Sequence, residues 1–233
     1  HYWMNIMPKK YDKIKFNIEK EIPEEIKNLK PIFIIGLPRS GSTIIESILS
    51  SGKKKILNLG ETSLINWSII NTYTEIFTEG SIGEERLLKL DANLICGKLL
   101  KSLDNLGASN LKNKIFIEKS LENFFYIDLI LKIFPKAKFI NTIRNTHDNI
   151  FAIFQQFLSK VSWTHSLENI IDYMDNYLKI IGFFKQKYPD KILSVKLEEL
   201  TDNKELISKK LYNFCELEWN DTALEFYKRK DLF

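Results

Sequence analysis

A short apolar run that leads into a glycine-rich turn constrains the fold of this chain more than any other feature. The run PIFIIG (31–36) has no polar alternation, which predicts a strand buried on both faces. The turn GLPRSGST follows, and the apolar positions of IIESILSSG then recur at helical spacing as far as Gly52. A strand, a tight turn and a helix in this order present backbone N–H groups to an anion. The sequence therefore predicts a phosphate-binding loop.

Four further apolar runs predict strands of the same kind, at residues 55–60, 114–119, 137–143 and 191–197. Helical periodicity between and after them predicts helices at residues 62–77, 84–106, 124–134, 148–159, 167–188 and 203–215. Strands that alternate with helices along a chain form a parallel sheet with helices on both faces. We therefore expect an α/β fold of the P-loop type, with three α/β/α layers and a central parallel sheet of about five strands.

The change in composition along the chain indicates its domain organisation. Residues 1–30 are polar and rich in lysine, and we expect an N-terminal arm there. Neither an internal repeat nor a Gly/Ser- or Pro-rich linker divides residues 31–233, which we expect to form one domain. The N-terminal segment lacks the apolar core of a signal peptide, so we expect a cytoplasmic location.

Composition argues against several kinds of partner. The chain has 34 Lys and Arg against 30 Asp and Glu, and the net charge of +4 is too small to predict a nucleic-acid-binding protein. Its apolar runs all fall short of the roughly 20 residues that span a bilayer. The two cysteines, Cys96 and Cys215, have no partners at zinc-ligand spacing, so we expect buried thiols and no metal site.

The charges of the loop differ from those of a nucleotide P-loop. Both glycines are present, but Ser42 stands where the lysine belongs and the cation, Arg39, comes earlier. A magnesium-binding acid is also missing, because two strand ends carry Lys119 and Arg144 instead. Parallel strands end at one sheet edge, so we expect the three cations to converge on an anion. The alternative is an ordinary turn in which glycine supplies backbone freedom and Ser or Thr caps the helix.

These motifs resemble the sulfotransferases that use 3′-phosphoadenosine 5′-phosphosulfate (PAPS), above all the bacterial tetratricopeptide-linked and the tyrosylprotein branches. The segment PIFIIGLPRSGSTIIESILSSG is similar to their 5′-phosphosulfate loop, and AKFINTIRNTHDNIFAIFQQF is similar to their 3′-phosphate segment. KILSVKLEELTDN and YNFCELEWND resemble the later strand with its acidic turn and the helix end that follows. The resemblance keeps the family's order from about Pro31 to the end of the chain. It implies a PAPS-dependent sulfotransferase domain.

For donor binding, the resemblance assigns the loop to the 5′-phosphosulfate, through Pro38, Arg39, Ser40, Gly41, Ser42 and Thr43. It assigns Arg144 to the 3′-phosphate, which a guanidinium can bind through two hydrogen bonds; a surface ion pair is the alternative. Ala152 occupies a second 3′-phosphate-binding position, where the family usually has serine, and Leu197 replaces a frequent tyrosine. We expect weaker donor binding, or compensation by one of three neighbours, Gln155, Gln156 or Lys160.

For catalysis, the resemblance makes Glu61 the general base, as in the tyrosylprotein branch, because it directly follows the strand at residues 55–60. The alternative is that Glu61 only stabilises the N-terminus of the next helix. Lys119 matches a family lysine that neutralises charge on the leaving phosphate oxygen; otherwise it is an exposed strand-end lysine. The residues just after Lys119 include no histidine, and we assign no catalysis to His147 or His165.

We therefore expect a sulfotransferase that moves a sulfuryl group in line from PAPS to a hydroxyl or amine, with adenosine 3′,5′-bisphosphate (PAP) as product and without a metal. The acceptor is a small molecule, glycan or peptide. Trp67, Phe124 and Trp163 line its cleft or belong to the core. Further expectations are a homodimer, repeats before this segment, and a truncated or missing donor-covering segment after Phe233. A magnesium-dependent P-loop kinase or NTPase and a degenerate PAP-binding module stay open as alternatives.

Overall fold

A sheet of five parallel strands forms the centre of the molecule. The computed structural model describes residues 11–52, 56–73, 89–107, 115–156, 158–159 and 161–228. Its strands are β1 (Lys15–Asn17), β2 (Ile32–Gly36), β3 (Leu57–Asn58), β4 (Lys89–Asp91), β5 (Phe116–Glu118), β6 (Lys138–Ile143) and β7 (Ile192–Lys196). The central sheet has the order β3-β5-β2-β6-β7, and all of its neighbouring strands are parallel. The predicted parallel sheet is confirmed.

Helices cover both faces of this sheet. They are α1 (Glu24–Lys27), α2 (Ser42–Ser50), α3 (Leu64–Thr72), α4 (Ala92–Asn105), α5 (Ile127–Ile133), α6 (Thr146–Gln156), α7 (Leu167–Lys187), α8 (Leu197–Asp202) and α9 (Lys204–Phe214). Short 3₁₀ segments occupy Leu121–Tyr126, Ser162–His165 and Asp221–Lys228. Helices α2, α8 and α9 pack on one face, and α3 to α7 pack on the other. The α/β/α layering agrees with the prediction.

The central strand β2 explains why the protein has two hydrophobic cores. Its side chains are buried along the whole strand. Phe33 and Ile35 contribute to the core on one face of the sheet. Ile32 and Ile34 contribute to the core on the other face, because successive side chains of a strand point to opposite sides. An apolar run without alternation in the sequence therefore corresponds to a strand between two helical layers.

One predicted helix is wrong at its start. The helical pattern over residues 84–106 includes Lys89–Asp91, which form β4 instead, and β4 pairs in parallel with β1. Helix α4 begins only at Ala92, because the Asp91 carboxylate accepts hydrogen bonds from the backbone N–H groups of Asn93 and Leu94. A three-residue strand whose partner lies far away in the sequence leaves no periodicity of its own.

Several other expectations can be compared with the structure. The predicted helix at residues 124–134 begins within a 3₁₀ segment and becomes α-helical at Ile127. Cys96 and Cys215 are buried free thiols, as expected. Residues 55, 74–77, 84–88, 114 and 157 of the predicted elements lie outside the described residues. Within the described part of the chain, no helix is both long enough and apolar enough to cross a membrane.

Candidate active site

The turn between β2 and α2 has the backbone geometry of an anion-binding loop. Arg39 and Gly41 have positive φ angles of 64° and 92°, and residues of this kind curl successive N–H groups around one centre. A Cβ at Gly36 would lie 2.5 Å from Oγ1 and 2.7 Å from the carbonyl oxygen of Thr142, so the position accommodates only glycine. Helix α2 begins at Ser42 without a side-chain cap, which leaves its first N–H groups available to an anion.

Buried polar side chains hold this loop against the sheet edge. The Ser40 hydroxyl donates to the Leu37 carbonyl over 2.6 Å and shares a hydrogen bond of 2.6 Å with the Thr142 hydroxyl. The Asn149 side-chain amide, from α6, donates to the Pro38 carbonyl over 2.7 Å. The Ser40 hydroxyl therefore serves the loop itself, and its backbone N–H is the group that remains for a ligand. Sequence reasoning did not identify Thr142 or Asn149, because both act through the packing of distant segments.

Lys119 lies at the centre of the site. Its side chain is buried, and its backbone N–H donates to the Gly60 carbonyl over 2.8 Å. The ammonium donates to Glu61 Oε1 over 2.6 Å and to Thr43 Oγ1 over 3.5 Å, and it lies 3.3 Å from Glu46 Oε2. The chain thus brings the strand-end lysine, the loop and the predicted base together at one point. Lys119 is not the exposed strand-end lysine of the alternative interpretation.

Glu46 is a site residue that the sequence analysis missed. Its side chain is 6% exposed and faces the 7% exposed side chain of Lys119, so the two charges compensate each other away from water. Thr43 and Glu46 are three residues apart in α2 and therefore share one face of the helix. A carboxylate at this spacing behind the loop, in a helix with no other charged residue, is the signal that could have identified it.

Glu118 connects the two segments that carry Glu61 and Lys119. Its buried carboxylate accepts hydrogen bonds from the Thr62 hydroxyl over 3.2 Å, from the Ser120 N–H over 3.1 Å, and from the side chains of Ser120 and Asn123. The backbone N–H of Ser63 in turn donates to the Ser120 hydroxyl over 2.7 Å. Because these bonds link the end of β5 to the segment after β3, they fix the spacing between the lysine and the predicted base.

The Glu118 carboxyl should make stability depend on pH. Burial raises the pKa of Glu118 from 4.5 to about 7, against the lowering effect of the Ser120 hydrogen bonds. The folded state then holds the proton to higher pH than the unfolded chain, so the stability contributed by protonation is complete below about pH 4.5 and is lost as the pH rises through 7. We expect this group to lower the free energy of unfolding by up to about 3 kcal/mol over that interval.

Urea unfolding at several pH values between about 5 and 8 measures this effect. The variant Glu118→Gln cannot titrate, so we expect its free energy of unfolding to vary less with pH than that of the unchanged protein. Only the slopes of the free energy of unfolding against pH are compared. The glutamine amide accepts fewer hydrogen bonds than the carboxylate from the surrounding donors, which changes stability at every pH. Equal slopes in the two proteins would contradict the assignment.

Arg144 lies beside the loop, at the end of β6. Its Nη1 donates to the Arg39 carbonyl over 3.3 Å, and Arg144 is not among the residues that line the cleft in front of Lys119. The next residue, Asn145, donates its N–H to Glu198 Oε1 over 2.8 Å. This hydrogen bond, together with the nearby Arg144 charge, lowers the pKa of Glu198. Arg144 therefore adds positive charge to the outer side of the loop.

Helix α6 carries the remaining predicted donor position. Ala152 is half-buried in this helix and supplies no polar side-chain atom. Gln155 and Gln156 are exposed at the end of the helix, and Gln156 also lines the cleft. Lys160 lies outside the described residues. Whether either glutamine compensates for the missing serine stays a prediction.

A cleft of about 810 Å³ opens in front of Lys119, which is within the usual size range of ligand sites. Arg39, Ser42 and Thr43 line it together with Lys119 and Glu61. Three aromatic residues also line it, namely Phe125, Trp163 and Tyr173. Of the aromatic residues named from the sequence, Trp163 thus lines the cleft, whereas Phe124 belongs to the core and Trp67 is exposed elsewhere on α3.

The histidines and the acids offer no metal centre in the described ranges. No group of three or more His, Cys, Asp or Glu residues there could hold a metal ion. His147 is exposed in the first turn of α6, and a ring nitrogen of His165 lies 3.1 Å from the Leu158 carbonyl oxygen. The site therefore consists of an anion-binding loop, a buried lysine and carboxylates at the edge of the sheet.

A family model agrees with this arrangement. The model described as "Sulfotransferase family" matches residues 31–221. The chain belongs to the sulfotransferase family. The match confirms the family resemblance that the sequence motifs carry. A tetratricopeptide linkage stays a prediction.

Solved sulfotransferases share the fold of this sulfotransferase domain. The sulfotransferase domain of the curacin biosynthetic pathway is 15% identical, with a TM-score of 0.62 over 87% of this chain and 79% of that one. The sulfotransferase domain of the Synechococcus PCC 7002 olefin synthase is 16% identical, with a TM-score of 0.60 over 92% of this chain and 82% of that one. At these identities the likeness supports the fold assignment.

A relative in sequence extends well beyond this sulfotransferase domain. An uncharacterised protein of Aquifex aeolicus (strain VF5) is 30% identical over 93% of this chain. The chain spans only 30% of the length of that relative.

Proposed function

We propose that this domain transfers a sulfuryl group from PAPS to a hydroxyl, or an amine, of a small molecule, glycan or peptide. One observation carries the proposal. The buried Lys119 ammonium contacts both the anion-binding loop, at Thr43, and the carboxylate of Glu61. A cation between an anion site and a carboxylate suits a reaction in which negative charge leaves on one side and a proton is removed on the other.

The loop fits the phosphosulfate end of PAPS. Uncapped N–H groups at the start of α2 and the hydroxyls of Ser42 and Thr43 can bind its oxygens, and Arg39 supplies charge. The close approach of the Gly36 backbone to Thr142 keeps side-chain bulk away from this space. These features support an anionic donor that is held mainly by backbone groups.

The outer side of the loop fits the 3′-phosphate. Arg144 already contacts the loop through the Arg39 carbonyl, which orients its guanidinium close to the phosphosulfate position. Other guanidinium N–H groups stay available for a phosphate. The half-buried Ala152 contributes no hydrogen bond, so we expect Arg144 to carry a larger share of 3′-phosphate recognition than a residue with a serine neighbour would.

The chemistry follows from these positions. As the acceptor oxygen bonds to sulfur, the bond between sulfur and the bridging phosphate oxygen breaks, and the electron pair leaves with PAP. Glu61 accepts the acceptor proton, and its 70% exposed side chain has room to reach a bound hydroxyl. Lys119 and Arg39 stabilise the charge that develops on the leaving oxygen. Glu46 keeps the Lys119 ammonium in place when Glu61 turns to the acceptor.

Thermal unfolding with added nucleotides tests the donor site, because a ligand that binds only the folded state raises Tm. We expect PAP to raise Tm more than AMP does, and more than ADP with magnesium does. Arg144→Ala should weaken PAP binding about 10- to 100-fold, since it removes a charged hydrogen-bonding partner of the 3′-phosphate. The matched control is Lys209→Ala, an exposed cation on α9 that pairs with Glu205. A preference for ADP with magnesium would instead favour a kinase.

A further inference from the structure

Charges of both signs line the cleft. Arg39 and Lys119 supply positive charge at the loop end. Among the lining residues that the structure describes, the other charged side chains are Glu61, whose carboxylate binds the Lys119 ammonium over 2.6 Å, and Glu122, which pairs with no cation of the described residues. A charge that no partner within a confined cleft compensates favours a ligand that carries the complementary charge. The loop end suits an anionic donor, and Glu122 suits an acceptor of the opposite sign.

Hydrogen bonds hold Glu122 in the same wall of the cleft as the predicted base, Glu61. The backbone N–H of Lys119 donates to the Gly60 carbonyl, so the segments after β3 and β5 run side by side. Within these two segments, the Ser63 hydroxyl donates to Glu122 Oε1 over 3.0 Å. Ser63 itself has a positive φ of 48°, which only a well-supported backbone maintains. Glu122 is thus held in the same wall as Glu61, which precedes Ser63 by two residues.

Glu122 has capacity left for a ligand. Its Oε1 accepts the Ser63 hydroxyl, and the described residues provide no hydrogen bond to its Oε2. The carboxylate is half-buried at the cleft surface, where partial removal from water strengthens its interaction with a cation. A serine hydroxyl alone does not neutralise this charge.

An aromatic wall lies beside this carboxylate. Trp163 stacks on Tyr173 with a centroid distance of 4.0 Å and an interplanar angle of 6°, and Phe125 meets Tyr173 edge to face at 6.3 Å. Burial raises the pKa of Tyr173, and the negative charge of Glu122 raises it further. The Glu122 carboxylate therefore acts electrostatically on this aromatic wall. A carboxylate beside packed aromatic rings is a favourable surface for an alkylammonium or guanidinium group, because the rings shield the ion pair from water.

We propose that the acceptor carries a positively charged group close to its nucleophilic hydroxyl, and that Glu122 binds this group. The inference rests on the proposed function, because it takes the loop end of the cleft as the donor site. It makes Glu122 a specificity-determining residue and Glu61 the group that receives the proton. Anionic acceptors, such as acidic peptides, face repulsion from the Glu122 carboxylate and bind poorly.

Three phenols of similar size and different charge test the proposal: tyramine (cationic), 4-ethylphenol (neutral) and 3-(4-hydroxyphenyl)propanoate (anionic). Their affinities are measured by calorimetry on the protein saturated with PAP. We expect tyramine to bind at least about tenfold more tightly than the propanoate, because the half-buried Glu122 carboxylate attracts the first ligand and repels the second. In Glu122→Gln, which keeps the acceptor for the Ser63 hydroxyl, the preference should fall to about threefold or less.

The controls separate this proposal from the donor assignment. Glu205→Gln removes the same charge from the exposed surface of α9 and should keep the full preference for tyramine. Equal affinities for the three phenols, or no binding of tyramine, together with normal PAP binding would overturn the cationic acceptor and leave the proposed function intact. Absence of PAP binding would overturn both. An unchanged preference in Glu122→Gln would remove Glu122 from the role.

Discussion

Replacement of Lys119 by methionine is expected to lower turnover about 10²- to 10³-fold, the usual cost of removing one group that stabilises developing charge. Lys119 is the buried cation whose ammonium contacts both Thr43 and Glu61, so the substitution removes the positive charge between the loop and the predicted base. The substitution should also lower the free energy of unfolding by about 3 kcal/mol, because Glu46 then lies buried without its partner. Turnover is measured as PAP formation, and stability by urea unfolding.

A second substitution separates the two effects. In the double variant Glu46→Gln with Lys119→Met, no buried charge stays uncompensated, so we expect most of the lost stability to return. Turnover should stay low, because the cation is still absent. Recovery of turnover along with stability would contradict a direct role of Lys119 and would assign it to the structure of the loop.

The sequence predicts the fold well where local pattern and burial coincide. PIFIIG has apolar residues at consecutive positions because β2 lies between two helical layers, whereas a strand with one solvated face would alternate apolar and polar residues. The start of α4 was not predictable in this way, since β4 owes its existence to β1, which is distant in the sequence. Its three residues continue the apolar spacing of the helix that follows, so periodicity alone extends the helix too far.

The residues of the candidate site also differ in whether the sequence alone predicts them. Arg39 and Lys119 could be selected from the sequence because a charged residue at the end of a buried strand, or in the turn after it, must lie at the sheet edge. Glu46 and Glu122 could not be selected so directly. Glu46 depends on the rotation of α2 toward β5, and Glu122 depends on a 3₁₀ segment that brings it under Ser63. The positions of both side chains depend on how separate segments pack against each other, which no single segment of the sequence encodes.

Because the residues just after Lys119 include no histidine, the carboxylate of Glu61 is the candidate general base. Glu61→Gln should lower turnover about 10²- to 10⁴-fold, the range that general-base catalysis supplies. PAP affinity should stay equal or increase, because Lys119 loses a carboxylate that binds its ammonium over 2.6 Å in the absence of donor and keeps its contact with Glu46.

Kinetic assays of PAP formation and thermal shifts with PAP measure the two effects of Glu61→Gln separately. The matched control is Glu199→Gln, which changes an exposed acid of α8 that pairs with Lys196, and it should change neither quantity. If Glu61 only stabilised the N-terminus of α3, glutamine would alter Tm slightly and leave turnover nearly intact. A parallel loss of PAP binding and turnover would instead assign Glu61 to the donor site. Full PAP binding with lost turnover is the result expected of a proton acceptor at this position, and it excludes a role for Glu61 limited to the donor site or to the helix N-terminus.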